Sequence, residues 1–251
     1  MLRRIRKKSY DLAGKIVRNF TPELKQDRRS LLYLLEKKSV EEAVDYVFNN
    51  MRNAQAFHSR YELYDFVVPK ASGAGEFLEF GVATGKSINY IARLVDKEVH
   101  GFDSFEGFPD DGIIPKPKAQ TEKWTGVKWF IGKQKHKIPQ VKHNVILHSG
   151  WFENTLTEFL RKSSKKISFV HIDCDIYSST KTVLDNLANV IVPGTIIIFD
   201  EYFGYFEWAK NEFKAFQEFV EKNHVSYEYI AYTYSGRVSV KINSFKIDSM
   251  P

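Results

Sequence analysis

The sequence predicts an α/β fold: a doubly wound, Rossmann-like parallel sheet with an N-terminal helical extension. Three observations carry that reading. From Glu76 onward, short apolar runs alternate with stretches of helical period, as βαβ units do. The runs Phe77–Phe80, Val99–Phe102, Val145–Leu147, Ile167–Ile172 and Thr195–Phe199 are mostly apolar on both faces, as strands of a covered parallel sheet are. Glycines or acids follow directly after several of them, at the ends where open α/β sheets bind ligands. A chain of 251 residues, 43% hydrophobic and 27% charged, can build one large core of this kind.

The elements follow in order. Residues 1–20 hold seven Lys and Arg against Asp11 alone, so this segment accounts for the whole formal charge of +6. With Leu2, Ile5, Leu12, Ile16, Val17 and Phe20 at roughly helical spacing, it reads as a solvated helix, with peripheral contact to an anionic membrane or a partner subunit as the alternative. Residues 29–68 keep a period near 3.6 and read as helices, so residues 1–68 form the extension and 69–251 the α/β domain. The segment from Lys116 to His143 carries eight lysines against Glu122, with Trp124, Trp129 and Phe130 interleaved. It reads as a lid that attracts an anionic small molecule, nucleic acid being the weaker reading, or equally as an ordinary solvated excursion. A helix over 206–222 precedes two strands, Tyr227–Thr233 and Arg237–Ile242, joined by a turn.

Composition excludes other classes. Eight prolines and 14 glycines rule out collagen and low complexity. The single cysteine, Cys174, excludes an internal disulfide and a thiolate metal cage and points to a reducing, cytoplasmic setting. No apolar run of about 18 residues is present, so neither a membrane span nor a secretory signal is expected.

The segment Glu79-Phe-Gly-Val-Ala-Thr-Gly-Lys-Ser87 leaves a strand and enters a helix, and it supports two readings. Gly85, Lys86 and Ser87 match the end of a phosphate loop, with Asp200 and Glu201 after an apolar strand as its magnesium acids, which would make the chain an ATPase. Only three residues separate the glycines, however, one short of the cradle that wraps a phosphate. As a nucleoside loop, Gly81 and Gly85 give a tight turn against a helix N-terminus, and Asp103, 22 residues after Gly81, is the acid for ribose hydroxyls. Alanine at 83 and lysine at 86 disfavour a pyrophosphate, while Glu79 suits a ligand with positive charge, which points to S-adenosylmethionine. Asp173, Asp200 and Glu201 end two runs that should be neighbouring strands. Converging carboxylates raise one another's pKa unless a cation intervenes, and magnesium is the natural occupant. Asp175 or a serine near 178–179 is expected to cap the following helix.

The pieces EFGVATGKS, GFDSFEGFP, SGWFENTL, HIDCDIYSST and FDEY, in this order across roughly residues 60–242, resemble the macrocin O-methyltransferase-like (TylF-like) branch of class I S-adenosylmethionine-dependent methyltransferases. The resemblance implies a seven-stranded sheet ending in an antiparallel hairpin, and methyl transfer to a hydroxyl of a small molecule, often a sugar on a natural product. By motif position it places Glu79, Gly81, Gly85 and Ser87 at the methionine part of the cofactor and Asp103 at the ribose. Ser149, Trp151 and Phe152 border the adenine, and Asp173, Asp200 and Glu201 hold the metal. Two positions depart from the family: Glu201 stands where it usually has a second Asp, and Ile176 where related enzymes place a basic group. Asp173 is then the first choice of general base and His171 the second, although a strand histidine is more often a structural one. His58, Arg60 and Tyr64 are expected to wall the acceptor site, and the helical extension to pair two subunits as a homodimer. A phosphate-loop ATPase and a non-catalytic nucleoside-binding module are the competing readings.

Overall fold

The computed structural model describes residues 31–71, 73–109, 137–163 and 166–245. The basic segment 1–20 and residues 116–136 of the Lys-rich excursion lie outside the described residues. Two compact units are present, Met1–Lys38 and Ser39–Pro251. Helix α1 (Leu31–Asn50) starts in the first and continues into the second. Residues between 39 and 68 build part of the sheet and its core: strand β1 (Gln55–Phe57) pairs with a strand late in the chain, and helix α2 (Arg60–Val67) buries Leu63, Tyr64 and Val67 completely.

Helix α2 starts where its sequence says it should. Ser59 accepts from the Glu62 backbone N–H, and the Glu62 carboxylate accepts from the Ser59 N–H in return, a capping box. A single 3₁₀ turn, Val68–Lys70, then leads into β2 (Glu76–Phe80), α3 (Lys86–Ile91), β3 (Val99–Asp103), β4 (Val145–Ser149), α4 (Phe152–Lys162), β5 (Ile167–Ile172), α5 (Tyr177–Leu187) and β6 (Ile191–Phe199). Helix α6 (Glu212–Lys222) and the hairpin β7 (Val225–Thr233) and β8 (Val238–Phe245) complete the described residues. The helix expected from residue 206 starts at Glu212 because Glu207 takes a left-handed φ of 64°, which leaves only a 3₁₀ turn at Trp208–Lys210.

The sheet has eight strands in the order β1-β7-β8-β6-β5-β2-β3-β4. Seven match the expected architecture; the eighth, β1, has three residues and was hidden in a stretch of helical period. Pairing is parallel except where β8 runs antiparallel to β6 and β7. From β2 the chain moves outward through β3 to β4, then returns to lay β5 on the other side of β2. The carboxyl ends of β2 and β5 thus flank a topological switch point, where open α/β sheets leave a crevice.

Each central strand feeds two apolar layers by its period of two. Leu78, Phe80, Ile172, Ile197 and Phe199 pack with Val183, Leu184, Leu187, Phe216 and Phe219 of α5 and α6. Phe77, Phe169, Ile196 and Ile198 pack with Leu63, Tyr64, Ile88 and Ile91 of α2 and α3. Glu79 and His171 share this second face, so two polar side chains are fully buried in an apolar layer. Burial of that kind requires partners.

Candidate functional site

At the exit of β2 the backbone must turn within contact of the exit of β5. Gly81 has φ +90°, and a Cβ there would lie 1.8 Å from the Asp173 carbonyl oxygen, so only glycine fits. The ladder hydrogen bonds extend past the strand ends, with Gly81 N–H donating to Phe102 O and Asp173 N–H to Phe80 O. Asp103, at the end of β3, holds the loop: its Oδ2 accepts from the Val82 and Ala83 amides at 2.9 and 2.8 Å, and its Oδ1 from the Phe105 amide at 2.7 Å. Ala83 and Phe105 both have positive φ, 46° and 56°. One carboxylate therefore fixes two backbone positions that would each cost about 1–3 kcal/mol to hold.

The loop faces a cleft of about 1350 Å³, more than one drug-sized ligand requires. It is lined by Gly81, Ser87, Asp103, Trp151 and Phe152 and by Asp173, Asp175, Asp200, Glu201 and Arg237. Val40, Val44 and Phe48 of α1, spaced one helical turn apart, and the aromatic residues Phe203, Tyr205 and Tyr232 form apolar walls.

Beneath the loop runs a buried chain of alternating acid and base. Glu79 accepts from Ser87 Oγ at 2.9 Å and lies 3.0 Å from His171 Nδ1. His171 Nε2 is 3.2 Å from the Tyr64 hydroxyl and 3.6 Å from Asp200 Oδ1. Arg237 then closes the chain with a fork on Asp200, Nε to Oδ1 and Nη2 to Oδ2, both at 2.6 Å. Burial by itself would lower the His171 pKa, but the hydrogen bonds to Asp200 and Glu79 and the charges of Glu79 and Asp173 lift it to about 10. Burial opposes ionisation of Asp200 as well, yet His171 and Arg237 hold its carboxyl well below the usual range. Tyr64 is pushed upward by burial and then by the charges of Asp200, Glu79 and Asp173.

The remaining acids have no such compensation. Asp173, Asp175 and Glu201 offer carboxylate oxygens that all lie within 4.8 Å of one another. Burial, followed by the Asp200 charge, raises all three, Asp175 to about 7. Glu201 Oε2 is buried without a hydrogen-bond partner. Glu212, fully buried at the start of α6, accepts from the Glu201 N–H and is also raised, chiefly by burial.

Several expected placements differ. Glu79 does not reach the cleft, because Ser87 and His171 occupy its carboxylate within the core. Ser87 borders the cleft but gives its hydroxyl to Glu79, which removes the group a phosphate loop needs for its cation. Gly85 lies behind the loop against Pro139. Ser149 opens on a separate cleft with His100, His148 and Glu158. His171 is fully buried with its ring nitrogens facing Glu79 and Tyr64, and these surroundings lift its pKa to about 10, which disfavours it as the base. Tyr64 is buried beside it, and His58 packs on Tyr234; of His58, Arg60 and Tyr64, Arg60 lines the cleft, together with Val40, Val44 and Phe48 of the helical extension. Asp175 caps nothing: the N-cap of α5 is Ile176, without a side-chain bond, and Asp175 takes φ +61° among the acids. Its signal was the Asp-Cys-Asp spacing directly behind a strand end. Arg237 had no local signal.

A protein-family model described as a methyltransferase domain matches residues 78–202. A curated relative, the 8-demethyl-8-(2,3-dimethoxy-alpha-L-rhamnosyl)-tetracenomycin-C 4'-O-methyltransferase of Streptomyces olivaceus, is 26% identical over 146 residues, covering 51% of this chain and 53% of the relative. The chain thus matches about half the length of that relative. Among solved structures, the calicheamicin methyltransferase CalS11 superposes with a TM-score of 0.57 at 20% identity, covering 84% of this chain and 89% of that one. The O-methyltransferase NovP superposes at 0.55 with 21% identity, covering 85% and 98%. The fold is the Rossmann-like fold of class I methyltransferases. No helix among the described residues is long and apolar enough to cross a membrane.

Proposed function

We propose that this chain is an S-adenosylmethionine-dependent O-methyltransferase of the macrocin O-methyltransferase-like branch, acting on a hydroxyl of a small molecule such as a sugar or glycosylated natural product. The observation that carries the reading is the contact of Gly81 with the Asp173 carbonyl, which joins a clamped nucleoside loop and an acid cluster in one cleft at the switch point. The matched methyltransferase-domain model and the sugar O-methyltransferase activity of the curated relative support it.

S-adenosylmethionine supplies a methyl already activated on sulfur; the acceptor oxygen forms the new bond to carbon, the carbon–sulfur electron pair stays on sulfur, and the hydroxyl proton needs a base. Asp173, part-exposed at the cleft, takes that proton, since its surroundings disfavour His171 as the base. Asp103 holds the loop in its bound shape before the donor arrives. The apolar walls at Val44, Phe48 and Phe203 exclude water and orient the acceptor. Orientation of this kind is worth up to roughly 7–11 kcal/mol of the barrier. The carboxylates of Asp173 and Glu201, with oxygens within 4.8 Å of one another and Glu201 Oε2 buried without a partner, suit a hard divalent cation, which when bound would lower the pKa of the acceptor hydroxyl.

Calorimetric titration with S-adenosylmethionine and with ATP, each with and without magnesium, tests the reading. S-adenosylmethionine should bind and ATP should not; the reverse result establishes the ATPase. Transfer of labelled methyl to a component of a small-molecule extract separates an enzyme from a silent binding module.

A further inference from the structure

Resting on that methyltransferase reading, we infer that Arg237 serves Asp200 as a built-in cation and that a divalent ion is held instead by Asp173, Asp175 and Glu201. The expected set, Asp173 with Asp200 and Glu201, does not survive the geometry. Both oxygens of Asp200 are occupied by the Arg237 fork, and the two side chains are 3% and 14% exposed, so little solvent screens the pair. The guanidinium is held in place: Gly236 packs its Cα on the Phe203 carbonyl, Arg237 N–H donates to Thr233 Oγ1, and Nη1 donates to Ser235 Oγ. A divalent ion on Asp200 would have to sit against that fixed positive charge. The neighbouring combination of His171, Asp173 and Asp200 is closed as well, because Nδ1 of His171 faces Glu79 and Nε2 faces Tyr64.

The third set is open. Asp175 stands in a left-handed conformation and does not cap the helix that follows it. Glu201, one methylene longer than the Asp usual at its position, brings a carboxylate oxygen within 4.8 Å of one each from Asp173 and Asp175, and its Oε2 is buried with no hydrogen-bond partner. Three converging carboxylates of this kind, completed by water, form the oxygen-only environment that magnesium or manganese takes.

Mn2+ is the probe, with free ion counted by electron paramagnetic resonance and S-adenosylmethionine binding measured in parallel on the same proteins. The wild type should bind Mn2+, and Asp175→Asn should weaken it by about tenfold or more. Asparagine tolerates the left-handed backbone, so this variant keeps its fold. Glu201→Gln should weaken Mn2+ likewise, whereas Arg237→Gln should bind it more tightly because Asp200 is released. Unchanged Mn2+ affinity in Asp175→Asn, or weaker affinity in Arg237→Gln, overturns the assignment. So does a wild type that binds S-adenosylmethionine but no Mn2+ at millimolar concentration. A wild type that shows the Mn2+ pattern but binds no S-adenosylmethionine sinks the methyltransferase reading and supports the ligand set.

Discussion

Replacing His171 with glutamine tests whether the buried acid–base chain is ionised. His171 is fully buried, 3.0 Å from Glu79 and 3.6 Å from Asp200. Its removal leaves Glu79, also 0% exposed, with the Ser87 hydroxyl donating to its carboxylate. Breaking a buried pair by removing one member costs roughly 3–5 kcal/mol. The rise of the His171 pKa from 6.5 to about 10 gives the same order, at about 1.4 kcal/mol per pH unit. The sign follows from linkage: the folded state holds the proton more tightly than the unfolded state. The contribution is therefore complete below pH 6.5 and is lost as pH rises through about 10. Urea unfolding followed by circular dichroism, in chelator, at several pH values between 6 and 10.5 reads it directly. The wild type should exceed His171→Gln by several kcal/mol at the acid end, and the gap should shrink toward the alkaline end. A gap that stays constant across the range would refute an imidazolium in the core.

Two further outcomes concern the nucleoside loop. Gly81→Ala places a methyl 1.8 Å from the Asp173 carbonyl at φ +90°. Overpacking of about 1–3 kcal/mol is expected, seen as a fall in Tm of several degrees by scanning calorimetry; an unchanged Tm refutes the close contact. Asp103→Asn leaves one acceptor oxygen for three amides, Val82, Ala83 and Phe105. Hydrogen bonds to a charged group are worth about 1.5–3 kcal/mol each, so S-adenosylmethionine affinity should drop by about tenfold or more, and equal affinity in a titration would show that the clamp is dispensable.

Much of the fold was legible because its signals are local. Strand-length apolar runs, helical periods and the acids behind them all lie within a few residues of one another, and β2 to β6 appear where those runs stand. Strand β1 escaped because three residues cannot establish a period, and its pairing partner, β7, lies far along the chain. The glycine loop and Asp103 were visible as a spacing, but the use of Asp103 as a backbone clamp was not. Glu79 was assigned to a ligand from its position at a strand end. Strand alternation alone cannot reveal that His171, 92 residues away in sequence but paired in register, takes up its carboxylate.

The sequence by itself determined the layered α/β architecture, the glycine that only a tight turn explains, and which acids stand at strand ends. These depend on side-chain period and backbone freedom, properties a short segment carries alone. Only the tertiary structure decided how the charges pair. Antiparallel register sets Phe199 against Val238 and so brings Arg237 beside Asp200, and parallel register sets Glu79 against His171. Electrostatic energy depends on distance through space and on burial, and neither is written in the order of residues along the chain.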